Sequence, residues 1–113
     1  MSKYTFVVFT NATEGRDDEF NEWYNNTHIP DVVRAPGFVA ATRFRLAETD
    51  PPQPSAHRYL ALYEVETDDL DKTMQGLLEL AGTDGMILSD ALDMKSASAT
   101  YFEPITERVV AQD

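Results

Sequence analysis

Six residues from Tyr4 to Phe9, Tyr-Thr-Phe-Val-Val-Phe, constrain this chain more than any other stretch. β-Branched and aromatic side chains fit a pleated strand. Alternation puts Tyr4, Phe6 and Val8 on one face and Thr5, Val7 and Phe9 on the other. Both faces are largely apolar, so this strand is expected to be covered on both sides. A chain of 113 residues has room for one modest core, and residues 1–113 are read as a single domain.

The second informative stretch runs from Asp17 to Phe38. Phe20, Tyr24 and His28 recur at i, i+4 and i+8, with Trp23 and Thr27 beside them, so one broad helix face carries all five. Asp17, Asp18 and Glu19 crowd the first turn, where the helix dipole favours acids. Pro30 is expected to end or kink the helix, because the residue before a proline is pushed out of the α region. His28 then sits in the last turn among aromatics. Histidine titrates nearest neutrality, which makes His28 a candidate for proton chemistry. Asp31, three residues on, is placed to orient its ring.

The remaining elements follow from periodicity. Phe38 to Leu46 is a second strand, with Phe38, Ala40, Thr42, Phe44 and Leu46 on one face and Val39, Ala41, Arg43 and Arg45 on the other. Glu48 to Ala56 holds three prolines and reads as an exposed loop. His57 to Val65 is a third strand; His57, Tyr59, Ala61, Tyr63 and Val65 share a face, opposite Leu60 and Leu62. Thr67-Asp68-Asp69 is an N-cap signal for a helix carrying Leu70, Met74, Leu77, Leu78 and Ala81, which Gly82 stops. Thr83 to Leu92 is irregular or a short helix. Met94 to Glu103 is a last strand, and Ile105 to Asp113 is a weakly structured tail. The order is β-α-β-β-α-β: an α+β, ferredoxin-like plan with a four-stranded antiparallel sheet and two helices on one face. Two helices cover one side only, so the two-faced strands point to a homodimer joined sheet to sheet.

Charge and composition exclude several functions. The net charge of −11 argues against nucleic acid and anionic membranes. There is no cysteine, and the two histidines lie far apart, so no zinc set is read. No Gly-rich loop links a strand to a helix, so no nucleotide site is read either. The amino-terminal residues enter a strand without a signal-peptide layout, and no apolar run reaches membrane-spanning length, so a cytoplasmic protein is expected.

The run Phe20-x-x-Trp23-Tyr24-x-x-x-His28-Ile29-Pro30, followed by Pro36-Gly37-Phe38, resembles the dimeric α/β-barrel superfamily and, within it, the EthD-like group. The resemblance implies a homodimer whose sheets form a barrel, with a pocket between sheet and helices in each subunit. It implies activities such as those of aromatic polyketide cyclases, cofactor-free monooxygenases and muconolactone isomerases. His28 matches the pocket histidine of the group in its His-x-Pro context. The cyclases place catalytic residues on late strands, where this chain has no histidine.

The expectation is therefore a small cofactor-independent enzyme, using acid/base chemistry on an apolar aromatic or lactone-like molecule. Isomerase, lyase or decarboxylase, and cofactor-free monooxygenase chemistry all remain open. The alternative is a non-catalytic protein that binds a small molecule. His28 is the expected catalytic residue. Trp23, Tyr24, Arg43, Arg45, His57, Tyr59 and Tyr63 are expected to bind substrate, the arginines by holding a carboxylate or phenolate. No cofactor and no metal are called for.

Overall fold

A computed structural model describes residues 1–112. Strand β1 (Ser2–Thr10) leads to helix α1 (Asp17–Trp23), a π-helical turn (Tyr24–His28) and helix α2 (Ile29–Val33). Strands β2 (Phe38–Arg45) and β3 (Tyr59–Thr67), helix α3 (Leu70–Leu80) and strand β4 (Ser98–Phe102) complete the order. The sheet runs β2-β3-β1-β4, and every neighbouring pair is antiparallel. This is the ferredoxin-like α+β plan that the sequence predicts.

The core lies between sheet and helices. Phe6, Tyr59, Ala61, Tyr63 and Val65 rise from the strands to meet Phe20, Tyr24 and Val32, and Met86 and Ala91 from the 83–92 loop close one side. The other sheet face carries Val7, Phe9, Phe44, Leu60, Leu62 and Phe102. Phe9, Phe44 and Phe102 are 38%, 45% and 57% exposed there.

Four local expectations are corrected. The helix does not stop before Pro30: residues 17–33 form one helical run, and the π turn absorbs the proline. Strand β2 does not alternate strictly. Phe38 pairs with Val65 and Ala40 with Glu64, so Val39 is one residue too many. Beyond this bulge Ala41, Arg43 and Arg45 stand over Tyr63, Ala61 and Tyr59 on the helix side, together with Phe38. Strand β3 starts at Tyr59 rather than His57.

Strand β4 starts at Ser98 rather than Met94. The Asp93 carboxylate accepts from the Lys95 N–H at 3.1 Å and the Ser96 hydroxyl at 2.9 Å, and this local turn competes with a ladder.

Helix α3 keeps its predicted ends: Asp69 caps it by accepting from the Lys72 N–H, and Gly82 follows with a φ of +82°. Leu77 and Leu80 pack on the core, whereas Leu78 points away, 70% exposed. Residues 105–112 form no helix or strand; the part of the tail expectation that concerns Asp113 lies outside the described residues. Among the described residues, no helix is long and apolar enough to cross a membrane.

Candidate active site

The site is built on the π turn. Pro30 has no N–H to donate into the helix, and the Ile29 N–H bonds the Tyr24 carbonyl five residues back. The wide turn sets the His28 ring edge-on to Tyr24, centroids 4.8 Å apart at 90°. On its other contact the ring stacks on Trp23 at 4.7 Å and 23°. Single π turns inside α-helices are frequent at functional sites.

His28 Nδ1 is buried without a hydrogen-bond partner. Loss of hydration lowers the His28 pKa to about 4, the Arg43 charge adds to the effect, and Asp31 opposes it. The ring is therefore neutral at physiological pH, not poised near neutrality as its type alone suggests. Asp31 spends its hydrogen bond on Arg34, so it acts on His28 through its charge rather than by holding the ring.

Beneath the helix the bulge delivers Arg43. Its guanidinium carbon stands 4.2 Å from the Tyr24 ring centre. Its two terminal nitrogens donate to Asn25 Oδ1 at 2.7 Å and Asn21 Oδ1 at 3.0 Å. Its Nε is buried and unpartnered. Asn21 Nδ2 donates to the Tyr59 hydroxyl at 3.2 Å, which in turn donates to Asp17 Oδ2 at 2.6 Å. The Tyr24 and Tyr63 hydroxyls bond each other at 3.0 Å. Burial holds both phenols above the usual tyrosine range, so both stay protonated donors. Tyr101, stacked on Phe6 at 4.1 Å, has a buried hydroxyl without a partner, and burial pushes it up to about 12.

A cleft of 330 Å³ opens beside Arg43, walled by Asn21, Asn25, Arg43, Phe44, Arg45 and Tyr59. It shares Asn21, Arg45 and Tyr59 with a larger trough of 1080 Å³ under the 46–58 loop. The structure thus links Trp23, Tyr24, His28, Arg43, Tyr59 and Tyr63 by contact, and sets Arg45 on the cleft wall. His28 is not among the residues that wall the cleft. His57 stands apart. Its Nε2 lies 2.7 Å from the Ser96 carbonyl, and its ring sits 5.3 Å from Phe9, whose side chain belongs to the open sheet face.

Sequence reasoning missed Asn21, Asn25, Asp17 and Tyr101. Asn21 and Asn25 had a legible signal: they are four residues apart, one position beyond Phe20 and Tyr24, so they flank the aromatic stripe. Tyr101 had none beyond its place in a strand. Among the described residues, no group of three or more His, Cys, Asp or Glu is placed to hold a metal ion.

Solved structures share this architecture over nearly the whole chain. A Shewanella loihica PV-4 protein provisionally named a monooxygenase superposes with a TM-score of 0.61 at 11% identity, covering 95% of this chain and 99% of its own. The heme-degrader MhuD of Mycobacterium tuberculosis, with two hemes bound in its active site, gives 0.59 at 17% identity, with 94% and 99% coverage. An ethyl tert-butyl ether degradation (EthD) family protein of Bacillus halodurans C-125 gives 0.52 at 16%, with 93% and 100% coverage. The fold they share with this chain is the ferredoxin-like α+β fold. The chain belongs to the DUF4286 family, a domain of unknown function, whose profile matches residues 3–78. No curated protein sequence matches it.

Proposed function

We propose that this protein, one domain over residues 1–113, is a small cofactor-independent enzyme that moves a proton on an apolar aromatic or lactone-like substrate. The observation that carries the reading is His28: a neutral imidazole at a π turn, its Nδ1 buried with no partner. A buried ring nitrogen without a partner is costly to keep in either tautomer, and a neutral imidazole is the base form. On this reading Nδ1 takes the proton from an acidic C–H, and the electron pair moves into the ring or carbonyl oxygen of the substrate. Arg43 and the protonated Tyr24–Tyr63 pair stabilise that oxygen's charge. Trp23, anchored through its indole N–H to the Ile87 carbonyl at 3.1 Å on an exposed loop, is the cover that must move aside.

Heme, bound by the mycobacterial protein of this fold, does not fit these residues. The cleft walls hold no histidine, the His28 ring is covered by Trp23 and Tyr24, and His57 Nε2 is engaged with the Ser96 carbonyl, its ring beside Phe9. The exposed phenylalanines of the open sheet face support a homodimer with the two sheets facing each other. A protein of the cytoplasm remains our reading.

The test is deuterium exchange. Anthrone, butenolide lactones and hydroxynaphthoates are incubated with the protein in deuterated buffer and followed by NMR. Exchange at an activated C–H should be catalysed, and His28→Asn should slow it roughly 10²–10⁴-fold. Catalysed exchange that survives His28→Asn overturns the assignment of the base. A second reading, a binding protein without chemistry, is favoured by the absence of His28 from the cleft wall; it predicts ligand binding, no exchange, and the same affinity in His28→Asn.

A further inference from the structure

We infer that Arg43, gripped by Asn21 and Asn25, forms a subsite for the single negative charge of a planar organic monoanion, and that the acidic mouth of the adjoining trough rejects dianions. The inference rests on reading the cleft as a small-molecule site, and it names the ligand class of that site.

Arg43 is a half-buried cation whose partners are all uncharged. Among the described residues it pairs with no carboxylate; its contacts are two amide oxygens and the face of Tyr24. The five ion pairs of the described residues engage Arg16, Arg34, Arg58 and the amino terminus, leaving Arg45 without one as well. Two arginines, on the same face of β2 and on the wall of one cleft, thus keep their charge in a protein of net charge −11. An anion is what such a pair is short of. The geometry suits a flat one. Asn21 and Asn25 fix the guanidinium plane over the Tyr24 ring, and a guanidinium held in this way meets a carboxylate or an aromatic oxyanion in plane.

The second half of the inference comes from what surrounds the way in. The 330 Å³ cleft continues into the trough through Asn21, Arg45 and Tyr59. The trough walls carry Asp17, Asp18 and Glu48 along with Arg45 and Arg58, and Arg58 is set against Asp17. Asp17 is occupied by Tyr59 and lies 3.7 Å from Arg58, but Asp18 and Glu48 are exposed and unpaired among the described residues. A ligand with one charge places it at Arg43 and lays its neutral body along the trough. A ligand with a second charge at its far end brings that charge against Asp18 and Glu48, and like charges set close together oppose binding.

Calorimetric titration with three probes of one ring system tests this: 2-naphthoate, its uncharged counterpart 2-naphthalenemethanol, and 2,6-naphthalenedicarboxylate. The wild-type protein should bind 2-naphthoate about tenfold or more tighter than either of the others. Arg43→Gln should remove that advantage, so that naphthoate and the alcohol bind alike. Asp18→Asn combined with Glu48→Gln should raise affinity for the dicarboxylate and leave the monocarboxylate alone. Equal binding of naphthoate and alcohol overturns the anion subsite; a dicarboxylate bound as well as naphthoate overturns the rejection by the rim. The wild-type comparison decides even where Arg43→Gln fails to fold. Naphthoate preference without deuterium exchange would sink the enzyme reading and leave the subsite standing. Exchange without any charge preference would do the reverse.

Discussion

Tyr24 and Tyr63, one from the helical turn and one from the middle of the sheet, join their hydroxyls across 3.0 Å in a layer where each ring is at most 2% exposed. The bond ties the helix to the sheet directly beneath Arg43. A buried hydroxyl that loses its partner costs more than the bond itself contributes. Tyr24→Phe and Tyr63→Phe should each therefore lower stability by about 1–2 kcal/mol. The double variant should lose less than the two single losses added together, since no orphaned hydroxyl then remains. Urea denaturation of the four proteins gives the cycle. Strict additivity would mean that the two hydroxyls do not depend on each other.

His28 makes stability depend on pH in a known direction. Its pKa is about 4 in the folded chain against an ordinary 6.5, so the unfolded chain takes up a proton first as pH falls. Stability is then full above 6.5, declines from there to about 4 and is level below, a loss on the order of 3 kcal/mol from this group. Trp23 and Tyr24 exclude water from the ring, Arg43 deepens the effect and Asp31 softens it. His28→Asn does not titrate, and its stability should fall less over the same window. Urea midpoints of both proteins at neutral pH and near the lower limit check this; parallel losses would show a ring already hydrated.

Gly37 joins helix α2 to strand β2 with a φ of +93°. A Cβ there would stand 2.9 Å from Thr73 Cγ2, on a buried residue held by Thr67 at 2.8 Å. Gly15 also has a positive φ, +78°, but a Cβ would meet nothing. Gly37→Ala should cost roughly 2–4 kcal/mol and Gly15→Ala roughly 1, the first from strain plus collision and the second from strain alone. Thermal or urea melts of the pair separate the two contributions.

The open sheet face sets the fourth expectation. Light scattering at micromolar concentration should give about twice the 12.7 kDa chain mass. Phe44→Glu places a charge among exposed aromatics of that face and should yield a folded monomer. A wild-type monomer would leave Phe9, Phe44 and Phe102 to another partner.

The order of elements was legible because hydrophobic periodicity reports which side of an element is covered. It located the helix stripe Phe20, Tyr24 and His28 and the buried face Tyr59, Ala61, Tyr63 and Val65. It failed where one residue breaks the period. Nothing in Phe38-Val39-Ala40-Ala41 marks Val39 as surplus, since a bulge needs no glycine when its residues keep negative φ. Arg43 and Arg45 were read as opposite Phe38 for that reason. Pro30 was read as ending or kinking the helix because the residue before a proline is pushed out of the α region, yet Ile29 stays helical and a π turn spaces the bonds so that the chain continues. The neutrality of His28 could not be read at all: it comes from Trp23, Tyr24 and Arg43 meeting in space. His57 misled because its alternation with Tyr59 was extended two residues past the start of the strand.

The π turn at 24–28 and the bulge at Val39 are each one residue longer than the regular element around them, and this has a genetic consequence. Loss of one codon in the π turn would let residues 17–33 close as plain α-helix, the extra residue gone. Loss of the Val39 codon would remove the bulge and leave plain alternation, with Phe38, Ala41, Arg43 and Arg45 still on one side of the sheet. Val39 is no part of the cleft wall, whereas Asn25 lies within the π turn and grips Arg43, so the two losses differ in what they cost the site. In an alignment of related genes, one-residue gaps at these two places should therefore leave the flanking elements in register, and the arginine site should survive a gap at Val39.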